Sequence, residues 1–380
     1  MIEQSSLEHD GIATADTAIS TGKVKLPHFK ALDGVRGIAA LVVFVHHFFQ
    51  TIADKPLDHW NGFFRGLIYL SAFGASGVDV FFVLSGYLIT SLLLIDRGKP
   101  NYFHNFYWKR ALRILPVYFV HLIFTQWLIG DAWGYIWLSL IFLVNFNQRF
   151  HVEAKGVAWT LSIEEQFYLI WPQFVKRLRL SSLYYLAFAL VIASFCLRIA
   201  VQLLTHKIAI TYTPYRCDGL GLGALLALQW FNAAPPPRAL QPLLRILNSR
   251  VTLILAAISA VVVLSIPINN ATTSARITVV NLLAYHLIRS IIQSDRNSKP
   301  FSWLGRDLPV HMGNISYSLY LYHPIVLFVL AKHFNLLDPT HPWKVAGFLL
   351  LALAIVVTAS TLSLYAIERP IQRLRRFILK

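Results

Sequence analysis

Polar and apolar positions along this chain alternate in blocks of about twenty residues, the length a helix needs to cross the hydrocarbon of a bilayer. Apolar runs lie near 38–52, 67–95, 112–129, 161–175, 183–204, 218–231, 251–268, 276–293, 315–332 and 345–367. The pattern predicts an all-α integral membrane protein with about ten transmembrane helices. A further run, from Trp133 to Asn145, is short and ends in Asn145-Phe146-Asn147-Gln148. Clusters of Lys and Arg decide whether it crosses, because positive charge marks the cytoplasmic ends of spans. Lys23, Lys25, Lys30 and Arg36 precede the first run; Arg97, Lys99, Lys109, Arg110 and Arg113 follow the second; Lys176, Arg177 and Arg179 follow the run at 161. Arg238, Arg245 and Arg250, then Arg296, Lys299 and Arg306, then the stretch from Arg369 to Lys380 continue the alternation. It is unbroken only if 133–145 does not cross. That segment is therefore expected to be re-entrant or interfacial, beside a cavity near residues 133–160, with both termini cytoplasmic.

Composition sharpens this picture. Of 380 residues, 56% are hydrophobic and 14% charged, and the mean hydropathy is +0.55, a balance rare in a water-soluble domain of this length. Residues 1–29 are polar and too weakly basic for a cleaved signal peptide, so they read as a disordered cytoplasmic tail. Residues 30–370 form one transmembrane domain, and 371–380 a basic cytoplasmic tail. The net charge of +16 sits in short clusters between apolar runs, which points to membrane lipids and not to nucleic acid. Cys196 and Cys217 lack any Cys-x-x-Cys or His spacing, so neither a disulfide framework nor a metal site is expected. Pro235-Pro236-Pro237 reads as a linker. No internal repeat or pair of broken segments marks an inverted-repeat transporter.

Candidate chemistry lies in the ionisable residues that interrupt the apolar runs, each costing about 2.5 to 3.5 kcal/mol at membrane depth unless partnered. Arg36 and His47 stand eleven residues apart in the first run, about three helical turns and roughly 16 Å, with Arg36 at the headgroups and His47 near mid-membrane. His46 precedes His47, and a small change of helix register exchanges the two. Glu164 and Glu165 open the run at 161; their side chains diverge by about 100°, so one can face the cavity while the other caps the helix or faces headgroups. Arg110 and Arg113 stand one turn apart, with a geometry suited to clamping phosphate. Asp79, Arg216, Asp218 and His323 complete the set. Asp79 and an Arg216/Asp218 pair have a purely structural use, tying helices together.

Taken in order, these segments resemble the acyltransferase-3 family of membrane-bound acyltransferases, over residues 30–370. Arg36 and His47 match its Arg-x10-His element, Phe81 to Gly86 its Phe-Phe-x-Leu-Ser-Gly element, and Arg110 and Arg113 its Arg-x-x-Arg. Glu164 falls in a Trp-Ser/Thr-Leu-Ser-x-Glu element, followed by Arg216 and Asp218, by Ser316 to Pro324 containing His323, and by Glu368-Arg369-Pro370. The resemblance implies O-acylation from acyl-coenzyme A, by default acetyl-coenzyme A, onto a hydroxyl of a carbohydrate or glycan-like acceptor such as lipopolysaccharide, in a bacterial inner membrane.

A hydroxyl attacking a thioester needs a general base near neutral pKa. His47 is expected to be that base, with Glu164 orienting it and Arg36, Arg110 and Arg113 holding the donor's phosphates. Ser85, Tyr168 or a backbone amide would stabilise the oxyanion; an acyl-histidine intermediate is also compatible. Two readings from other classes are a polytopic transporter of an anionic or acylated solute and a membrane sensor or scaffold. Neither assigns a task to the whole series of motifs.

Overall fold

The computed structural model describes residues 27–53, 62–153, 156–205, 210–232, 234–266, 270–294, 299–333 and 342–378. The expected N-terminal tail lies outside them apart from residues 27–29. Among the described residues the structure consists of helices joined by turns and bends, with no strand. The principal helices are α1 (Lys30–Ala53), α2 (Gly62–Ser71), α3 (Gly77–Asp96), α4 (Tyr102–Ile129), α5 (Trp133–Leu140), α6 (Ala158–Arg177), α7 (Leu180–Thr205), α8 (Cys217–Trp230), α9 (Gln241–Leu247), α10 (Arg250–Ser265), α11 (Asn270–Gln293), α12 (Asp307–Asn314), α13 (Ser316–His333) and α14 (Pro342–Ser363).

Among the described residues, six helical stretches are long and apolar enough to cross a membrane, and up to eight if each of two bent pairs is one span. The bent pairs are Arg238–Leu247 with Arg250–Val263, at 50°, and Asp307–Asn314 with Ser316–His333, at 68°. The chain is thus a multi-pass helical membrane protein, but the expected count of ten is not reached by these measures. Two of the ten runs fall short for physical reasons. α6 carries Glu164, Glu165, Lys176 and Arg177 within 20 residues, and α8 has only 14 residues, about 21 Å of rise.

The short run at 133 folds as α5, eight residues long and about 12 Å in rise, followed by a turn through Phe142 at φ 54° and the 3-10 segment Val144–Phe150. Tyr135, Ile136, Leu138 and Ser139 are buried, while Trp133, Trp137 and Ile141 are exposed on the other face. Tryptophans presented this way suit a membrane interface. The Tyr118 hydroxyl, on α4, donates to the Ser139 carbonyl at 3.0 Å and ties the segment down.

The helices group into two compact bodies. The first comprises residues 29–81, 107–165 and 291–380, and its organising element is α1. A Cβ on Gly34 would overlap the Leu304 carbonyl, and one on Gly313 the Asp33 carbonyl. A Cβ on Gly37 would lie 2.7 Å from the Gly313 amide nitrogen, and one on Gly77 2.5 Å from the Ala39 carbonyl. Backbones this close are the packing that small residues permit inside membranes. Ala40, Phe44 and Phe48 of α1 then join Ile315, Leu319, Phe348, Ala352 and Val356 in one apolar core. At the bend between α12 and α13 the Ser316 hydroxyl donates to the Gly313 carbonyl at 2.7 Å, satisfying a backbone group that the bend releases. α14 continues into a π-helical turn, Leu364–Glu368, that buries Glu368.

The second body comprises residues 82–106 and 166–290 of the described chain. Its centre is α8, buried at every position from Asp218 to Leu228. A Cβ on Gly86 would overlap the Leu220 carbonyl, and one on Gly223 the Val83 carbonyl. The Trp171 indole donates to Thr90 at 2.8 Å. Lys176 donates to the Arg97 carbonyl at 2.6 Å, and Arg97 to the Leu178 carbonyl at 2.5 Å.

The glycine contacts generate the first prediction. Gly313→Val should destabilise the detergent-solubilised protein by at least about 2 kcal/mol, since overpacking of a filled interior costs this much. Gly347→Val, where a Cβ meets nothing within 4 Å, should leave thermal unfolding unchanged. Equal melting curves for the two variants would remove the close approach of α1 and α12.

Candidate active site

The first body assembles most of the residues singled out by sequence. His47 lies three turns beyond Arg36 on α1 and is half-buried. Its Nδ1 is 3.0 Å from the Val43 carbonyl, one turn earlier, and 3.1 Å from Nε2 of His323 on α13. The two ring centroids are 5.0 Å apart. His323 is fully buried, with Nδ1 on the Leu319 carbonyl at 3.1 Å and its ring edge-on to Phe44 and Tyr320. His46 points elsewhere: it is 8% exposed, and its Nδ1 contacts the Ser71 carbonyl at 3.0 Å. Its Cβ leaves so little space that a Cβ on Gly74 would lie 2.6 Å away. The ambiguity between neighbouring histidines is one of rotation about α1, and only packing resolves it.

A fourth histidine was missed. His121 of α4 is fully buried, stacks on Tyr118 and lies within electrostatic reach of His323. Gly156 abuts it: a Cβ there would stand 3.1 Å from the Tyr135 hydroxyl and 3.9 Å from His121 Cε1. The signal was present, since His121 interrupts the apolar run 112–129 just as His47 interrupts the first. Among the described residues no three His, Cys, Asp or Glu side chains converge as a metal-ligand set.

α6 approaches the histidines through its first turn, where the Thr160 hydroxyl lies 2.9 Å from the Tyr320 hydroxyl. The helix starts at Ala158 and has no acidic residue in its first turn, so neither Glu164 nor Glu165 caps it; both sit half-buried in the second turn. They face a different group. Glu165 is an electrostatic neighbour of Arg110, and both carboxylates are neighbours of Tyr317, whose hydroxyl donates to the Ile114 carbonyl at 3.0 Å.

The arginines form the ionic end of this body. Glu368 is an electrostatic neighbour of both Arg36 and Arg113, and hydrogen-bonds with Ser318. Arg375 is a neighbour of Arg110 and reaches the Lys109 carbonyl at 3.5 Å. Glu368 thus links Arg36 of α1 with Arg113 of α4, while Glu165 lies beside Arg110 of α4. Asp79, in the first turn of α3, is buried in the same body.

Ser85, Tyr168, Arg216 and Asp218 belong to the second body. The ion pair read between Arg216 and Asp218 is made differently. Asp218 pairs with Arg198 of α7 at 2.6 Å, both side chains almost wholly buried, and Arg198 also donates to the Tyr215 carbonyl and the Thr278 hydroxyl. Arg216 instead lies over the Phe82 ring, 5.3 Å from its centroid. Arg198 sits in the long apolar run 183–204, where sequence gave no hint of its partner. The pair holds α7 to the start of α8.

Comparison with known proteins adds to this geometry. The chain is similar to a Staphylococcus aureus (strain COL) protein named "Putative O-acetyltransferase", 27% identical over 339 residues, covering 80% of this chain and 51% of that protein. It is similar to the O-acetyltransferase OatA of Staphylococcus aureus (strain NCTC 8325 / PS 47), 29% identical over 239 residues, covering 56% and 36%. It also resembles the Bacillus subtilis (strain 168) protein named "Putative peptidoglycan O-acetyltransferase YrhL", 32% identical over 171 residues, covering 39% and 24%. The chain spans about half the length of the first of these. No solved structure matches it. The profile described as an acyltransferase domain, that of acyltransferase 3, matches residues 29–365. Nearly all of the helical chain falls inside that match, including Arg36, His47, Arg110, Arg113, Glu164 and His323, and the chain belongs to the acyltransferase 3 family.

Proposed function

We propose that this protein is a membrane-bound O-acyltransferase that moves an acyl group, by default acetyl, from acyl-coenzyme A to a hydroxyl of a carbohydrate or glycan-like acceptor. The observation that carries the reading is the placement of His47 in the first body. It is a half-buried imidazole on a helix long and apolar enough to cross a membrane, with Nδ1 engaged by the Val43 carbonyl, which leaves Nε2 as its basic nitrogen. The names of the similar proteins support the O-acetyl chemistry.

In this reading His47 Nε2 takes the proton of the acceptor hydroxyl as its oxygen attacks the thioester carbon. The tetrahedral oxyanion is met by a backbone amide of the first body, and the thiol of coenzyme A leaves with the proton that His47 carried. Arg36, Arg110 and Arg113, already gathered around Glu368 and Glu165, hold the pyrophosphate and 3'-phosphate through paired N–H donors. Glu164, beside Tyr317, adds negative charge among these arginines from α6. The donor enters from the cytoplasm, and the acceptor from the periplasm of a bacterial inner membrane. α6 and α8 complete ten crossings, their polar residues covered by neighbouring helices, with α5 lying in the periplasmic interface and both termini cytoplasmic.

Purified protein in nanodiscs, given acetyl-coenzyme A and a mixed glycan extract, should release free thiol, and His47→Ala should lower the rate about 10²- to 10⁴-fold. Equal release by His47→Ala would move the base elsewhere, and no release with several donors would remove the acyltransferase reading. Arg113→Ala should raise KM for acetyl-coenzyme A about tenfold or more with acceptor KM unchanged; the reverse pattern takes this arginine out of the donor site. For sidedness, Arg149→Cys serves as the probe, since Arg149 is exposed. It should react with an impermeant thiol reagent in intact spheroplasts, and labelling only after lysis would invert the topology.

A further inference from the structure

The ring nitrogens of the His47 and His323 pair are assigned by their partners. A carbonyl oxygen only accepts, so the contact between His323 Nδ1 and the Leu319 carbonyl, at 3.1 Å, puts a proton on Nδ1. A neutral imidazole carries one N–H, which leaves the lone pair of His323 on Nε2. That nitrogen is 3.1 Å from His47 Nδ1, so His47 donates and His323 accepts. The Val43 carbonyl, 3.0 Å from the same His47 nitrogen, demands the same tautomer. Two independent acceptors thus converge on one N–H.

We propose that His323 is a positioning residue for His47, doing with an imidazole what the carboxylate does in a Ser-His-Asp triad; this rests on the acyltransferase reading with His47 as base. The Val43 carbonyl alone fixes the tautomer, and His323 Nε2 adds a second acceptor for the same N–H that fixes the plane of the ring. As the acceptor O–H bond breaks, its proton goes to His47 Nε2, its oxygen bonds to the acyl carbon, and the thioester C–S bond then cleaves. While His47 holds that proton, the lone pair of His323 Nε2 stabilises the imidazolium as a hydrogen-bond acceptor and takes no proton itself. Once the Nε2 proton passes to the departing thiolate, both rings are neutral again and no proton or electron remains over. Burial supports this use. His323 is wholly out of solvent, its outer nitrogen is anchored to Leu319, and Phe44 and Tyr320 flank the ring, so its lone pair stays aimed at His47.

The test is a double-mutant cycle on thiol release from acetyl-coenzyme A with the glycan extract as acceptor. His323→Leu removes the acceptor, while His323→Gln offers a side-chain oxygen in its place. Relative to wild type, kcat should fall about 10²-fold for His323→Leu and less for His323→Gln, with KM for acetyl-coenzyme A changed less than about twofold. In a His47→Ala background neither change should slow the reaction further. If the losses multiply in the double variants, or if both His323 variants lose activity equally with a raised KM, His323 does not act through His47 and the proposal falls. Should His323→Leu fail to accumulate, His323→Gln in the two backgrounds carries the same comparison. A His47→Ala enzyme as active as wild type overturns the base assignment instead, and a wild type silent with every donor overturns the acyltransferase reading.

Discussion

The first body depends on how closely the backbone of α1 approaches its neighbours. Inside a bilayer no hydrophobic effect draws one apolar helix to another, because lipid is as apolar as leucine. What remains is contact, and Gly34, Gly37 and Gly313 let main chain meet main chain where any Cβ would intrude. That contact sets both the rotation and the depth of α1. Arg36 and His47 share the helix, so setting one sets the other, about 16 Å further along. The second body uses the same device around α8, where Gly86 and Gly223 meet backbone across the interface.

α13 runs beside α1 and repeats its division of labour. Tyr317 lies among the carboxylates, Tyr320 meets Thr160, and His323 meets His47. Three residues spaced by three thus connect an ionic end with a histidine end. Proximity and orientation, which rigid helices provide well, are the part of catalysis that such an arrangement favours.

Much of this was legible in the sequence, for identifiable reasons. Long apolar runs fix helices, and the positions of the helices agree with the ten runs. How many cross is harder, because α6 is polar and α8 short, and crossing depends on what covers them. The segment at 133 is short in sequence and short as a helix, while its expected re-entrant or interfacial placement rests on the alternation of positive charge. Ionisable residues at membrane depth stood out individually, but partners did not. Asp218 looked to be paired with Arg216, two residues away, because sequence displays near neighbours; its actual partner, Arg198, is twenty residues off on another helix. Spacing from Arg36 favoured His47 over His46, but the direction in which each ring points depends on the rotation of the helix, which sequence does not record. His121 was overlooked although the same rule that selected His47 applies to it.

The π-helical turn at Leu364–Glu368 bears on how such a site arises in descent. A π turn holds one more residue than the α-helix around it requires, and it accumulates at functional sites. It is in effect a single-residue insertion kept within an otherwise regular helix. Each residue turns a helix by about 100°, so one codon gained or lost in this stretch swings everything beyond it about the axis. The carboxylate that stands between Arg36 and Arg113 is thus addressed by reading-frame length as well as by residue type. Lineages that share every named side chain can still differ here by one insertion, and gaps in this turn are as informative as substitutions.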